Sequence, residues 1–111
     1  MFHRPERVSS LIQEELGKII SREVEFPECL VTITSVDVDN KLDRAVVNFS
    51  VIPSKNSEEV LKILKKAAGH LQHLLLEKLS IKPLPRIFFE IDYGSEKAAE
   101  VEKLLMEEDN K

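Results

Sequence analysis

The chain has 111 residues, 42% of them hydrophobic and 32% charged, with 20 acids against 16 lysines and arginines for a net charge of −4. That is about one domain of chain with enough apolar material for a core, which excludes an intrinsically disordered segment. No apolar run approaches the roughly 18 residues that a spanning helix needs, and the lone Cys29 excludes an internal disulfide.

The opening MFHRPER lacks the apolar stretch of a secretion signal, so a cytoplasmic location is expected. The charge is unevenly placed. From Glu90 to Lys111 there are eight acids and three bases, whereas Lys55–Arg86 holds seven lysines or arginines against three glutamates. A negative total can hide a basic face, and phosphate binding responds to the local field.

Residues Arg4 to about Val24 predict an amphipathic helix, with Val8, Leu11, Ile12, Leu16, Ile19 and Ile20 on the buried stripe. Pro5 suits its first turn, Glu14 and Lys18 form a favourable i,i+4 pair, and Phe26-Pro27 ends it. Arg4, Arg7, Lys18 and Arg22 fall on its exposed side. Leu30–Val38 and Arg44–Ile52 then read as β-strands joined by the polar turn Asp39–Asp43 into an antiparallel hairpin. The apolar parity of the first strand shifts between Ile33 and Val36, which predicts a bulge near Ser35.

Asn56-Ser57-Glu58-Glu59 has the pattern of a capping box, with Asn56 capping the Glu59 amide, and opens a helical stripe of Leu64, Ala67, Leu71, Leu74, Leu75 and Leu79. Gly69 inside that stripe costs about 1 kcal/mol relative to alanine, so it marks either a kink or a close backbone approach. The opposite face carries Lys62, Lys65, Lys66, His70 and His73. Pro83 and Pro85 stop the helix, Arg86–Asp92 predicts a third strand, and Ser95 caps a last helix, Glu96–Met106. The chain divides into a domain at 1–94 and a C-terminal helix with an acidic tail at 95–111. A long helical crossover joins the second and third strands, and the third strand is expected beside the first in a mixed sheet.

Catalytic readings fail on residue type. No Ser/His/Asp set, phosphate loop or dinucleotide fingerprint is present, so an acylphosphatase-like hydrolase and enzymes in general are disfavoured. His70 and His73 have no carboxylate or cysteine beside them to complete a metal site. Asp37, Asp39 and Asp43 lack the glycine and glutamate of a calcium loop, since Leu42 and Asn48 stand at those places. No metal or cofactor is expected.

Several separated motifs together resemble the ribosome-binding factor A family. They are Arg4-Pro5-Glu6-Arg7-Val8, Val31-Thr32-Ile33-Thr34-Ser35-Val36, the pattern Leu42, Ala45, Val47 and Ser50, then Ala67-Ala68-Gly69, and Leu79 through Ile87 with Phe89 and Asp92. The resemblance covers residues 4 to 95. It implies an α+β fold: a two-layer K-homology-like (type II) domain of order α-β-β-α-kink-α-β plus a C-terminal helix, with a three-stranded sheet covered by helices. Ala67-Ala68-Gly69 is then the kink between two helices. Two departures stand out: Lys41 where an acid commonly precedes the leucine, and Gln72 where an arginine is often found. With only Gly17, Gly69 and Gly94 there is no Gly-x-x-Gly loop, so the clamp of ordinary K-homology domains does not transfer. Phe49, Phe88 and Phe89 sit in strands, which argues against a stacking platform.

The resemblance further implies a monomer that associates with the free small (30S) ribosomal subunit, assists late 16S rRNA maturation and cold-shock adaptation, and works alongside assembly GTPases. Candidate RNA contacts are Arg4, Arg7, Lys18, Arg22, Lys62, Lys65, Lys66, Gly69, His70, His73, Lys82 and Arg86. The competing reading is a protein-docking module that uses its sheet edge or acidic C-terminal helix without touching RNA.

Overall fold

A computed structural model describes residues 4–81 and 83–94. The expected C-terminal helix, Glu96–Met106, and Lys82 lie outside the described residues. Helix α1 (Pro5–Glu23) starts at Pro5, whose fixed φ suits the first turn and whose missing N–H is one the helix would leave unpaired. Val8, Ile12, Leu16, Ile19 and Ile20 are buried along it, and Val24 closes it by donating its N–H to the Ile20 carbonyl at 3.0 Å.

Strands β1 (Leu30–Val38) and β2 (Arg44–Ile52) form the antiparallel hairpin. Asp39 shapes the turn, its Oδ1 accepting the N–H groups of Asp43 at 2.7 Å and Arg44 at 3.2 Å. Leu42 takes the left-handed φ of 59° that the tight reversal demands. The register shifts between Ile33 and Ser35, so Thr34 is the extra residue of a bulge, where the apolar parity changes.

A short 3-10 turn, Ser54–Asn56, leads into α2 (Ser57–Leu79). Two expectations are corrected here. Asn56 does not cap the helix, because the preceding turn holds it at φ −88°, ψ −1° instead of the extended conformation that lets a capping side chain reach back. Its Nδ2 donates to the Glu28 carbonyl at 3.5 Å. Nor are there two helices joined at Ala67-Ala68-Gly69: α2 is one continuous helix of 23 residues. Glycine keeps both backbone hydrogen-bonding groups, so its propensity cost of about 1 kcal/mol is outweighed when Val60, Leu64, Leu71 and Leu75, on either side of it, anchor the same face in the core. Ser80, with φ 53°, ends the helix and donates its N–H to the Leu76 carbonyl at 3.3 Å.

Strand β3 (Arg86–Ile91) lies beside β2 and parallel to it, giving the order β1-β2-β3, so its expected place next to β1 is also corrected. Because α2 carries the chain back along the sheet, β3 restarts at the end where β2 began and lands parallel on it. The Asp43 carbonyl accepts the Arg86 N–H at 2.9 Å and the Phe49 carbonyl accepts the Asp92 N–H at 2.6 Å, fixing both ends of β3.

Both helices pack on one face of this mixed sheet. Val36, Ala45, Val47, Phe49, Val51, Ile87 and Phe89 meet the stripes of α1 and α2, with the Phe49 and Phe89 rings edge-to-face at 6.4 Å between centroids. Cys29 is half-buried against this core. The alternation that sends these side chains inward sends Arg44, Arg86, Phe88 and Glu90 to the other face, which no described helix covers. The result is a two-layer α+β domain.

Candidate nucleic-acid interface

A groove of about 860 Å³ runs between α2 and the outer edge of β3. Leu61, Lys65, Ala68, Gly69 and Gln72 recur at three- and four-residue spacing and form its α2 wall, while Arg86 through Ile91 and Tyr93 form the other. A Cβ placed on Gly69 would meet none of the described residues within 4 Å. Internal packing therefore does not require glycine here, and its effect is to leave the groove wall bare between Lys65 and Gln72.

Gln72, which stands where the resemblance leads one to look for an arginine, is half-buried and engaged inside the fold. Its Nε2 donates to the Pro85 carbonyl and its Oε1 accepts the Ile87 N–H, both at 2.9 Å. The side chain thus pairs with the first outward-facing groups of an edge strand, as a neighbouring strand would. An arginine could donate to Pro85 but has no atom to accept from Ile87.

Of the candidate contacts, Lys65, Gly69 and Arg86 line the groove, Arg86 at the strand edge with its guanidinium turned to the open face beside Phe88. Lys62, Lys66 and His73 are exposed and continue from Gly69 in the i, i+4, i+7, i+11 stripe along its outer rim. His70 is exposed on the same helix, and His73 Nε2 lies 3.1 Å from Glu77 Oε1. Among the described residues, Lys62, Lys65, Lys66 and Arg86 make no ion pair. The α1 cations are arranged differently. Lys18 lies 3.6 Å from both Glu14 and Glu15, and Arg22 lies 3.8 Å from Glu23, so their charge is locally balanced. Arg4 and Arg7 stand at the start of α1, with Arg7 roughly 16 Å from Lys18 along the helix axis at the standard rise. The groove brings in none of these four.

Sequence reasoning missed three residues. Gln72 counted only as a lost cation. Arg44 is not among the sequence candidates, and Phe88 is set aside with the other strand aromatics as no stacking platform; yet Ile87 and Phe89 point inward, and that alternation already turns Phe88 outward. Phe88 is 39% exposed, with the guanidinium carbons of Arg44 and Arg86 each 5.7 Å from its ring centroid.

Beyond β3, Asp92 ties the sheet end to the bulge. The Thr34 hydroxyl donates to its Oδ2 at 2.6 Å and the Gly94 N–H to its Oδ1 at 2.8 Å; these bonds favour the carboxylate and hold its pKa below the ordinary value. Among the described residues no three His, Cys, Asp or Glu side chains cluster as metal ligands would, and no helix is long and apolar enough to cross a membrane.

The family model for ribosome-binding factor A matches residues 4–105, continuing past Gly94. Ribosome-binding factor A of Coxiella burnetii is 31% identical over 106 residues, spanning 95% of this chain and 89% of that protein. The crystal structure of ribosome-binding factor A from Thermus thermophilus superposes with a TM-score of 0.70 at 19% identity, covering 80% of this chain and 97% of the other. A homology model of the Thermus thermophilus factor, fitted into a cryo-EM map of a 30S complex with that factor, gives a TM-score of 0.66 at 20% identity, with coverages of 78% and 92%. The structural likenesses carry the fold, the family model and the curated relative carry the descent, and on these the chain belongs to the ribosome-binding factor A family.

Proposed function

We propose that this protein is a non-enzymatic assembly factor that binds the small ribosomal subunit and contacts 16S rRNA through the groove between α2 and β3 and its lysine rim. The observation that carries the reading is a groove lined by Lys65, bare Gly69 and the Arg86 edge of β3, bordered by Lys62 and Lys66, in a chain of this family. A relative's fold has been fitted into a 30S complex, which supports the choice of partner. Residues 1–94 act as the RNA-binding unit and 95–111 as a separate C-terminal segment. The factor works as a cytoplasmic monomer during late 16S rRNA processing, in cold-shock adaptation and in concert with assembly GTPases.

The mechanism is a population shift. Lysines and arginines displace counterions from the RNA backbone without reading sequence, and a site that fits one local RNA fold better than its competitors enriches that fold. The α1 cations add to the surrounding field at most, Lys18 and Arg22 least because of their carboxylate neighbours.

The test is co-sedimentation with purified 30S subunits across a salt series. Replacing Lys62, Lys65 and Lys66 together with alanine lowers affinity and flattens the dependence of log K on log salt by about 2 units, from a slope contribution of roughly 0.7 to 0.9 per phosphate contact. Binding that is unchanged at all salts removes this face. Association that also survives nuclease treatment replaces the reading with that of a protein-docking module.

A further inference from the structure

On the sheet face that no described helix covers, Phe88 stands between its own strand neighbour Arg86 and the cross-strand Arg44. An exposed aromatic by itself means little, since single apolar side chains are common on surfaces. The arrangement around this one is less ordinary. Arg44 and Arg86 are direct partners in the parallel register, which sets two like charges side by side at a position where unlike charges would stabilise the sheet. Neither makes an ion pair among the described residues. An anion lying between the two guanidiniums would relieve their repulsion and accept hydrogen bonds from both.

The remaining polar groups on this face set a direction. Asn48 Nδ2 donates to Asp37 Oδ2 at 2.9 Å and to Ser35 Oγ at 3.0 Å, so the Asp37 carboxylate already has a partner. Glu90 lies two residues beyond Phe88, which leaves the Arg44–Arg86 end as the place for negative charge and the ring as an apolar surface next to it. Arg86 and Phe88 also border the groove that holds Lys65 and Gly69. A single strand leaving the groove over the edge of β3 would therefore arrive with a phosphate at the arginine pair and its base over the ring.

We infer that Phe88, with Arg44 and Arg86, is a stacking site for one unpaired RNA base, an extension of the RNA interface onto the open sheet face. The inference rests on the RNA-binding reading above. Single-stranded RNA is the occupant because its bases have accessible π-faces, whereas those of a duplex are stacked on one another.

The chain has no tryptophan, so Phe88→Trp places a lone indole at the site. Titration with a short single-stranded oligoribonucleotide should quench its emission saturably. A hairpin duplex of equal charge should not, and adding Arg44→Ala and Arg86→Ala should weaken the effect. In 30S co-sedimentation, Phe88→Ala should lower affinity by about 5-fold or more, the factor expected for one lost base stack. No quenching, equal quenching by the duplex, or wild-type sedimentation of Phe88→Ala each overturns the site while leaving lysine-dependent subunit binding intact. If the wild-type protein itself fails to sediment with 30S subunits, the ribosome-binding reading falls, and the oligonucleotide titration alone decides the stacking site.

Discussion

Replacing Gly69 with alanine separates the needs of the fold from those of the groove. The residue lies in the interior of α2, in an unbroken helix, and an added Cβ would meet no described neighbour within 4 Å. Nothing in the described structure opposes the intrinsic preference of alanine for helix, so the fold should gain about 0.5 to 1 kcal/mol. For a domain of this size that is a rise in Tm of roughly 2–8 °C. The added methyl group projects into the groove shared with Lys65 and Arg86, so the same substitution should leave 30S binding equal or weaker, and Gly69→Leu, which fills more of the groove, should weaken it clearly. Thermal unfolding followed by circular dichroism reads the first effect and co-sedimentation reads the second. A fall in Tm for Gly69→Ala would refute the reasoning, since it would mean that the glycine serves internal packing or an irregular helix.

Two further substitutions test the contacts that border the groove. Gln72→Ala leaves the Ile87 N–H and the Pro85 carbonyl without their partner and should cost about 1–3 kcal/mol in denaturant unfolding; Gln72→Arg, which restores only the donor, should recover part of that loss. The lowered pKa of Asp92 gives a pH signature. A carboxylate with a depressed folded-state pKa contributes stability above its ordinary value of 3.8 and loses it as pH falls through the lowered value. Thr34→Val, which removes the main cause of the shift, should therefore destabilise the protein near neutral pH and progressively less in acid; a difference independent of pH would point to the bulge itself.

What the sequence made legible was local. The α1 stripe, both hairpin strands and the bulge at Thr34 all follow from spacings of a few residues, and all stand where Val8 to Ile20 and Ile33 to Val36 place them. Apart from the Asn56 cap, which the adjoining 3-10 turn displaces, the misreadings concern relations between distant segments. Whether Gly69 breaks a helix depends on whether Leu64 and Leu71 are anchored in one core, which no local pattern states. The neighbour of β3 is a matter of topology, and the role of Gln72 exists only once β3 presents an edge to α2. Phe88 could have been assigned from parity alone, but knowing that its face is open requires knowing where both helices lie. The candidate site suffers most, because it is composed of contacts between α2 and β3.

That composition bears on how the protein holds together in use. The β1–β2 hairpin closes through a short turn, whereas β3 joins the sheet only after the whole of α2 has been traversed, so the β2–β3 pairing carries the greater loop-closure cost. Release of β3, which would expose Ile87 and Phe89, would also dissolve the groove and separate Arg86 from Arg44. RNA occupying the groove as proposed would hold β3 in place by mass action and so complete the edge of the domain that receives it.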